Sequence, residues 1–382
     1  MDETKEITQD EKQNNHADPT GKKQRNVFLF FSLVFTAVAM LLVLVFYRSY
    51  MNSFREDKTR QVYDRYYVMI APDRKSEFNQ AVYRGAFERG IQENVYVDLL
   101  GEDLPEEYTK YDLMRIAIDS DVDGIMIDAD ESDEMTELLM EAAQAGIPVV
   151  TLLDDNTQAS RCSFVGIGGY DVGREYGIQV ADIIKMLRRE YFMTTEDAKE
   201  EDIAVIDVAV LVNAYGPSTS QNIIISGIKE TISGTEQSGS QANVSLVSVD
   251  NSNAFSVEES IRDLFINGEI PKIIVCLDEL STTCVYQAVI DYNVVGEVNI
   301  LGYYNSDTII NAIDRGAVYA TIAIDTSQLG SYCVDALEEY NDMGATSQYF
   351  TADVTLINRN NVASYVRKED RDEQILESPA EN

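Results

Sequence analysis

Short apolar runs alternate with longer amphipathic stretches along most of the chain, and this alternation predicts strands followed by helices. Two series of runs rich in Val and Ile are separated by stretches with helical periodicity. The predicted strands are 66–71, 95–100, 122–128, 147–152 and 163–167, then 208–213, 244–249, 272–278, 298–303, 319–324 and 353–358. The predicted helices are 77–91, 107–119, 132–145, 219–233, 256–267, 280–292 and 326–342. Continuous apolar strands separated by helices are typical of parallel sheets covered on both faces.

The two consecutive series predict an α/β fold with two doubly wound parallel-sheet lobes. In such sheets, ligands bind in the crevice outside the carboxyl ends of the strands. We therefore expect the functional residues to lie in the loops that follow the strands.

A separate apolar segment precedes this region, at residues 27–47, and it contains no charged residue. A helix of that length matches a hydrocarbon core of about 30 Å. A cleaved signal peptide has a shorter apolar core and a small-residue cleavage site, whereas this segment runs directly into Tyr47-Arg48-Ser49-Tyr50. The segment is therefore predicted to be an uncleaved transmembrane signal anchor.

The flanking charges favour an orientation with the N-terminus inside. Lys22, Lys23 and Arg25 form a dense basic cluster on the N-terminal side of the apolar segment. In that orientation residues 1–26 are a cytoplasmic tail and residues 48–65 are a charged stalk. We expect a single-pass protein of the cell membrane with its large domain extracytoplasmic.

Composition excludes several functional classes. The 382 residues contain 66 Asp and Glu against 30 Lys and Arg, so the formal charge of −36 repels nucleic-acid phosphates. The single histidine, His16, lies in the N-terminal tail, which leaves no material for a His-dependent catalytic triad or a His-rich zinc site. The four cysteines form no C-x-x-C pair. We predict no metal and no cofactor.

Six segments together resemble the type 1 periplasmic-binding-protein family, as in ribose- and galactose-binding proteins, over residues 66–366. They are SEFNQAVYRGAFERG (76–90), AGIPVVTLLDD (145–155), FVGIGGYDVGREYG (164–177), the turn and helix from Gly216 to Gly227, VNILGYYNS (298–306) and RGAVYATIAIDTSQLG (315–330). The lactose-repressor branch of this fold is disfavoured, because an apolar segment occupies the place of a helix-turn-helix.

The resemblance implies two lobes joined by three hinge crossings, expected near residues 168, 325 and 348. The implied N-terminal lobe comprises 66–168 and 325–348, the implied C-terminal lobe comprises 169–324 and 349–366, and residues 367–382 form a disordered acidic tail.

A sugar site in this fold needs aromatic faces for the apolar side of the ring and polar side chains for each hydroxyl. The resemblance places Phe78 where the family stacks an aromatic ring, and Phe255 near a second such position. Tyr170 and Tyr304 follow strands at the crevice.

The polar positions depart from the family pattern in most places. Where sugar binders have Asp-Arg after the fourth strand, this chain has Leu153-Asp154-Asp155, and Asn222 replaces a common Arg. Asp278 matches outright. The polar candidates for ligand binding are Ser76, Asp128, Asp154, Asp155, Asn222, Asp278 and Asn305.

Two other kinds of site compete with this interpretation. The acidic run 128–134 resembles the start of a calcium loop but has Asp133 in place of Gly and Leu139 in place of Glu. The pair Asp154 and Asp155 could suggest a glycosidase, but side chains of sequence neighbours usually diverge. We therefore expect no enzymatic activity.

The resemblance implies a solute-binding protein that closes around a small polar ligand, a sugar or sugar-like compound. Such proteins deliver their ligand to a permease of an ABC transporter. The alternative is a ligand-sensing co-receptor that signals to a membrane histidine kinase or receptor, with lobe closure as the two-state element.

Overall fold

The computed structural model describes residues 40–42, 62–105, 107–195, 199, 205–214, 218–235, 242–251, 253–266 and 270–366. The chain divides into two compact units, residues 1–62 and 63–382. Apart from 40–42, the predicted membrane segment 27–47 lies outside the described residues, as do the tail 1–26, most of the stalk and residues 367–382. Within the described part of the chain, no helix is both long enough and apolar enough to cross a membrane.

The first lobe is built on a six-stranded sheet that is parallel throughout. Its strands are β1 (Arg65–Ile70), β2 (Val95–Leu99), β3 (Gly124–Ile127), β4 (Val149–Leu152), β5 (Ser163–Ile167) and β11 (Tyr349–Ala352). They lie in the order β11-β5-β4-β3-β1-β2. The helices of this lobe are α1 (Glu77–Gln92), α2 (Lys110–Asp119), α3 (Asp133–Ala145) and α9 (Thr326–Met343).

The second lobe repeats this plan with one antiparallel edge strand. Its strands are β6 (Ile206–Asn213), β7 (Ala242–Val249), β8 (Ile273–Val275), β9 (Asn299–Tyr303), β10 (Ala320–Ile324) and β12 (Val354–Asn358). They lie in the order β12-β10-β9-β8-β6-β7, in which β12 is antiparallel to β10. The helices are α4 (Gly169–Thr194), α5 (Thr219–Gly234), α6 (Ala254–Ile266), α7 (Glu279–Asp291) and α8 (Asp307–Arg315), followed by a 3-10 turn at Val362–Ser364. The predicted α/β fold with two sheet lobes is confirmed.

Central strands are buried on both faces, which explains why they are apolar without alternation. Every residue of β3, β4 and β10 is buried. Polar caps then start the helices that cover these strands. Thr109 forms a capping box with Asp112 at α2, so this helix begins later than the predicted residue 107.

The chain passes between the lobes at three places, Gly168, Asp325 and Asp353. The second and third crossings are bonded together, because the N–H of Asp325 donates to the main-chain oxygen of Asp353 at 2.9 Å. The Gln328 amide also donates to the Asp353 carboxylate at 3.0 Å. The third crossing differs from the expected position near 348, because β11 pairs with β5 in the first lobe before the chain leaves it.

Each lobe contains a helix pair in which glycines allow backbones to touch. In the first lobe, a Cβ on Gly330 of α9 would lie 2.1 Å from the main-chain oxygen of Val82 in α1. In the second lobe, a Cβ on Gly173 of α4 would lie 2.2 Å from the main-chain oxygen of Ile224 in α5. Larger residues would force these helices apart.

A Gly227→Ala variant should therefore lower the free energy of unfolding by at least about 1 kcal/mol, since overpacking typically costs that much. Its Cβ would lie 2.7 Å from the main-chain oxygen of Tyr170. Gly234→Ala is the matched control in the same helix, because a Cβ there has nothing within 4 Å, and it should be neutral or slightly stabilising. Chemical denaturation measures both, and equal effects would refute the close-packing argument.

Candidate ligand cleft between the lobes

The loops after the central strands of both sheets meet between the lobes. The first lobe contributes Asp128 after β3 and Asp154 after β4, and the second contributes Asp278 after β8. Tyr303 is the last residue of β9 and is buried. Burial is the main cause of the raised pKa of its hydroxyl, and each of the three carboxylates raises this pKa further. All three carboxylates therefore lie within electrostatic range of the Tyr303 hydroxyl.

An aromatic cluster joins the two lobes beside these carboxylates. The ring of Phe78, at the start of α1, meets the Tyr304 ring edge-on with centroids 5.2 Å apart. The centroid of the Tyr303 ring is 6.1 Å from that of Phe78. The N–H of Phe78 also donates to the Glu279 carboxylate of the second lobe at 3.1 Å. These contacts join the two lobes in this structure.

Two strained residues shape the edges of the cleft. Leu153 after β4 and Tyr304 after β9 have φ angles of 65° and 71°, a region that non-glycine residues rarely adopt. Their positive φ angles turn the chain sharply as it leaves each sheet. The main-chain oxygen of Leu153 accepts a hydrogen bond from the Ser220 hydroxyl of the opposite lobe.

The carboxylates differ in how well they are partnered. Asp278 caps α7, and its two oxygens accept from the N–H and hydroxyl of Ser281 at 2.7 and 2.8 Å. Burial and the nearby Asp154 raise the pKa of Asp128 to about 7. Asp154 has a buried oxygen, Oδ1, with no hydrogen-bond partner among the described residues.

Lys110 is the cation next to this cluster, and it is already engaged. Its Nζ lies 2.7 Å from the Asp130 carboxylate and donates to the main-chain oxygen of Asp128 at 3.1 Å. Its charge lowers the pKa of Asp128 without cancelling the effects of burial and Asp154.

The side chains of two predicted ligand residues are hydrogen-bonded to other residues of the protein in this structure. Both carboxylate oxygens of Asp155 accept from Arg161 at 2.6 Å, and one also accepts from Thr151. The Tyr170 hydroxyl donates to Glu230 at 2.8 Å, and the ring is exposed. The role of each in ligand binding stays a prediction that would require these bonds to break or be shared.

Four further predicted residues lie in loops or first helical turns that follow strands of the two sheets. Ser76 caps α1 by accepting from the N–H of Asn79, and Asn305 is half-buried directly after Tyr304. Asn222 is exposed in the first turns of α5, and Phe255 is 67% exposed at the start of α6. Their contacts with a ligand also stay predictions.

Sequence reasoning missed Tyr303, Glu279 and Ser220. The first two directly neighbour a predicted position, since Tyr303 precedes Tyr304 and Glu279 follows Asp278. The signal that could have found them is their place at the carboxyl end of a central strand. Ser220 carried no such signal, because its partner is a main-chain oxygen in the other lobe.

A model of the periplasmic binding protein domain family matches residues 67–344. The chain belongs to this family. The match covers most of both lobes and all the cleft side chains described above. The family and its structural neighbours are solute-binding proteins with an α/β fold of two sheet lobes.

Several solved structures share this fold. GanP, a glucose-galactose binding protein from Geobacillus stearothermophilus, has a TM-score of 0.64 at 15% identity, covering 79% of this chain and 99% of its own. A solute-binding protein of an ABC transporter from Burkholderia graminis, in complex with D-arabinose, has a TM-score of 0.63 at 16% identity, covering 81% and 100%. The XylFII-LytSN complex contributes a chain with a TM-score of 0.59 at 19% identity, covering 78% and 98%. No curated protein sequence matches the chain.

Proposed function

We propose that this protein is a membrane-tethered, extracytoplasmic solute-binding protein that closes its lobes around a sugar or sugar-like compound. The observation that carries the proposal is the cleft itself. The rings of Phe78 and Tyr304 meet edge to face from opposite lobes, beside the carboxylates of Asp128, Asp154 and Asp278. Aromatic faces cover the C–H surface of a sugar ring and carboxylates accept from its hydroxyls.

The tether rests on the sequence. Residues 27–47 are apolar and uncharged, and a basic cluster precedes them. In this proposal the segment anchors the protein in the cell membrane, and the two lobes lie outside, where a solute first meets the cell.

The role we favour is delivery of the ligand to the permease of an ABC transporter. Family membership supports it, as do neighbours described as solute-binding proteins of ABC transporters. Opening and closing about the crossings at Gly168, Asp325 and Asp353 would bind and release the ligand.

The second candidate is a co-receptor that reports ligand occupancy to a sensor kinase. The XylFII-LytSN complex among the structural neighbours favours it, because that structure joins this fold to a second protein. A tether that is never cleaved also suits a partner in the same membrane. Uptake of labelled ligand by cells lacking the gene separates the two: it falls if the role is delivery and persists if the role is sensing.

Thermal unfolding of the full chain against mono- and oligosaccharides, cyclitols, nucleosides and amino acids tests the proposal. A ligand at a hundred times its Kd should stabilise the native state by about 2.7 kcal/mol. We expect a clear rise in the melting temperature with one class of sugar-like compound. A rise with amino acids or nucleosides alone, or with nothing, would contradict it.

A further inference from the structure

The Tyr303 hydroxyl is a donor without an acceptor on a buried side chain. Its residue is 9% exposed, and none of the hydrogen bonds among the described residues uses this hydroxyl. Asp128, Asp154 and Asp278 nevertheless lie within its electrostatic range. The hydroxyl oxygen keeps some accessible surface although its ring is buried, so it can bond a group that enters the cleft.

The neighbouring carboxylates are acceptors that lack a cationic partner. Within the described parts of the chain, Asp128, Asp154 and Asp278 take part in no ion pair. Asp154 Oδ1 has no partner among these residues, and Asp128 and Asp154 repel each other. Lys110 pairs with Asp130, and its charge offsets only part of the effect of burial and Asp154 on Asp128.

A bound metal ion does not explain this arrangement. No group of three or more His, Cys, Asp or Glu residues in the described part of the chain is close enough to hold one. The carboxylates instead lie within electrostatic range of Tyr303, whose ring contacts that of Phe78, and an aromatic ring can cover an apolar surface. The ligand that fits is organic, with an apolar face and several donors.

We propose that the ligand of this cleft is an aminated sugar or polyol whose protonated amino group binds between Asp128 and Asp154. Its hydroxyls would bond the Tyr303 hydroxyl and Asp278, and its C–H face would lie against Phe78. This inference rests on the proposed function and specifies its ligand class.

The charge argument separates this ligand from a neutral sugar. An ammonium group brings three donors and one positive charge to the side chains of Asp128 and Asp154, which form no ion pair among the described residues. A hydroxyl brings one donor and no positive charge, so it does not offset the repulsion that ionised Asp128 and Asp154 exert on each other. The neutral parent should therefore bind more weakly in the same position.

Isothermal titration calorimetry on the full chain tests the inference with matched ligands. The probes are D-glucosamine and D-galactosamine, their N-acetyl derivatives, and neutral D-glucose and D-galactose. We expect at least one amine to bind tenfold or more tightly than both its N-acetyl and its neutral counterpart. This comparison needs no variant, so it does not depend on any mutant folding.

Variants then locate the amino group. Asp154→Asn should weaken binding of the amine at least tenfold and narrow its advantage over the neutral sugar. Asp291→Asn is the control, because it removes the same charge from an exposed position on α7 and should leave both affinities unchanged. This control separates a local ion pair from attraction by the overall charge of −36.

The outcomes distinguish the inference from the proposed function. Neutral sugars binding as tightly as the amines would overturn the inference and leave the solute-binding role intact. An amine advantage that Asp291→Asn abolishes as fully as Asp154→Asn would also overturn it. Binding of no sugar of any kind would overturn the proposed function, and the inference with it.

Discussion

Replacing Asp128 by asparagine should stabilise the ligand-free protein at about pH 8 by up to about 4 kcal/mol. The wild-type carboxyl has its pKa raised from 3.8 to about 7 by burial and by Asp154. A tenfold change in proton affinity corresponds to about 1.4 kcal/mol, and the rise in this pKa spans about three such factors. Asparagine cannot ionise and avoids this cost.

The sign follows from proton binding. Between about pH 4 and pH 7 the folded protein holds a proton on Asp128 that the unfolded chain has lost, so this residue makes stability fall as the pH rises. The advantage of Asp128→Asn should therefore be absent near pH 4, grow up to pH 7 and then stay constant. Chemical denaturation of variant and wild type at about pH 5 and pH 8 measures it.

Asp130→Asn is the matched control in the same loop, and we expect the opposite sign. Burial raises the pKa of Asp130, but hydrogen bonds from Lys110 and Ser132 outweigh it and bring the pKa to about 2. Its ionised form therefore contributes stability at neutral pH, and the asparagine variant should lose it. If both variants changed stability in the same direction at pH 8, the contrast between an unpaired and a paired carboxylate would be wrong.

A Phe78→Ala variant should weaken ligand binding by tenfold to about a hundredfold. The ring is buried between the lobes, and it contacts both Tyr303 and Tyr304. Its loss removes stacking area worth about 1 kcal/mol or more and also the ring contact that favours the closed state. Calorimetry with the ligand found by thermal unfolding measures the change.

Two other Phe→Ala variants are needed to interpret the change in affinity of Phe78→Ala. Phe192→Ala is the control, because that ring is 43% exposed in the last turn of α4, and we expect no change in affinity. Phe255→Ala tests the second predicted stacking position, whose ring is exposed in this structure. Unchanged affinity in Phe78→Ala would remove Phe78 from the site, whatever Phe255→Ala does.

Much of the fold could be predicted from the sequence, because buried parallel strands are apolar without interruption. The central strands appear where the apolar runs predicted them, and most helices begin or end within a few residues of their predicted limits. Helices α4 and α8 were not predicted. β11 was also missed, because two of its four residues, Tyr349–Ala352, are exposed at the edge of the sheet and the strand is too short to form a distinct apolar run.

The location of the candidate site could be predicted from the sequence, but the hydrogen-bond partners of its carboxylates could not. The rule that ligands bind beyond the carboxyl ends of strands selected Asp128, Asp154 and Asp278. The same rule selected Asp155, whose oxygens accept from Arg161 in the loop that leads to β5. Which of two adjacent carboxylates is paired depends on where the chain turns, and Leu153 sets that turn with a positive φ angle.

The sequence by itself determined the two-lobed α/β architecture, the acidic surface and the kind of residues that line the cleft. These follow from local periodicity and composition, which act along the chain. The tertiary structure alone decided that Phe78 meets Tyr304, that the third crossing lies at Asp353 and that Tyr303 is buried among three carboxylates without an acceptor. Each of these depends on residues from distant strands, whose proximity and burial no local pattern records.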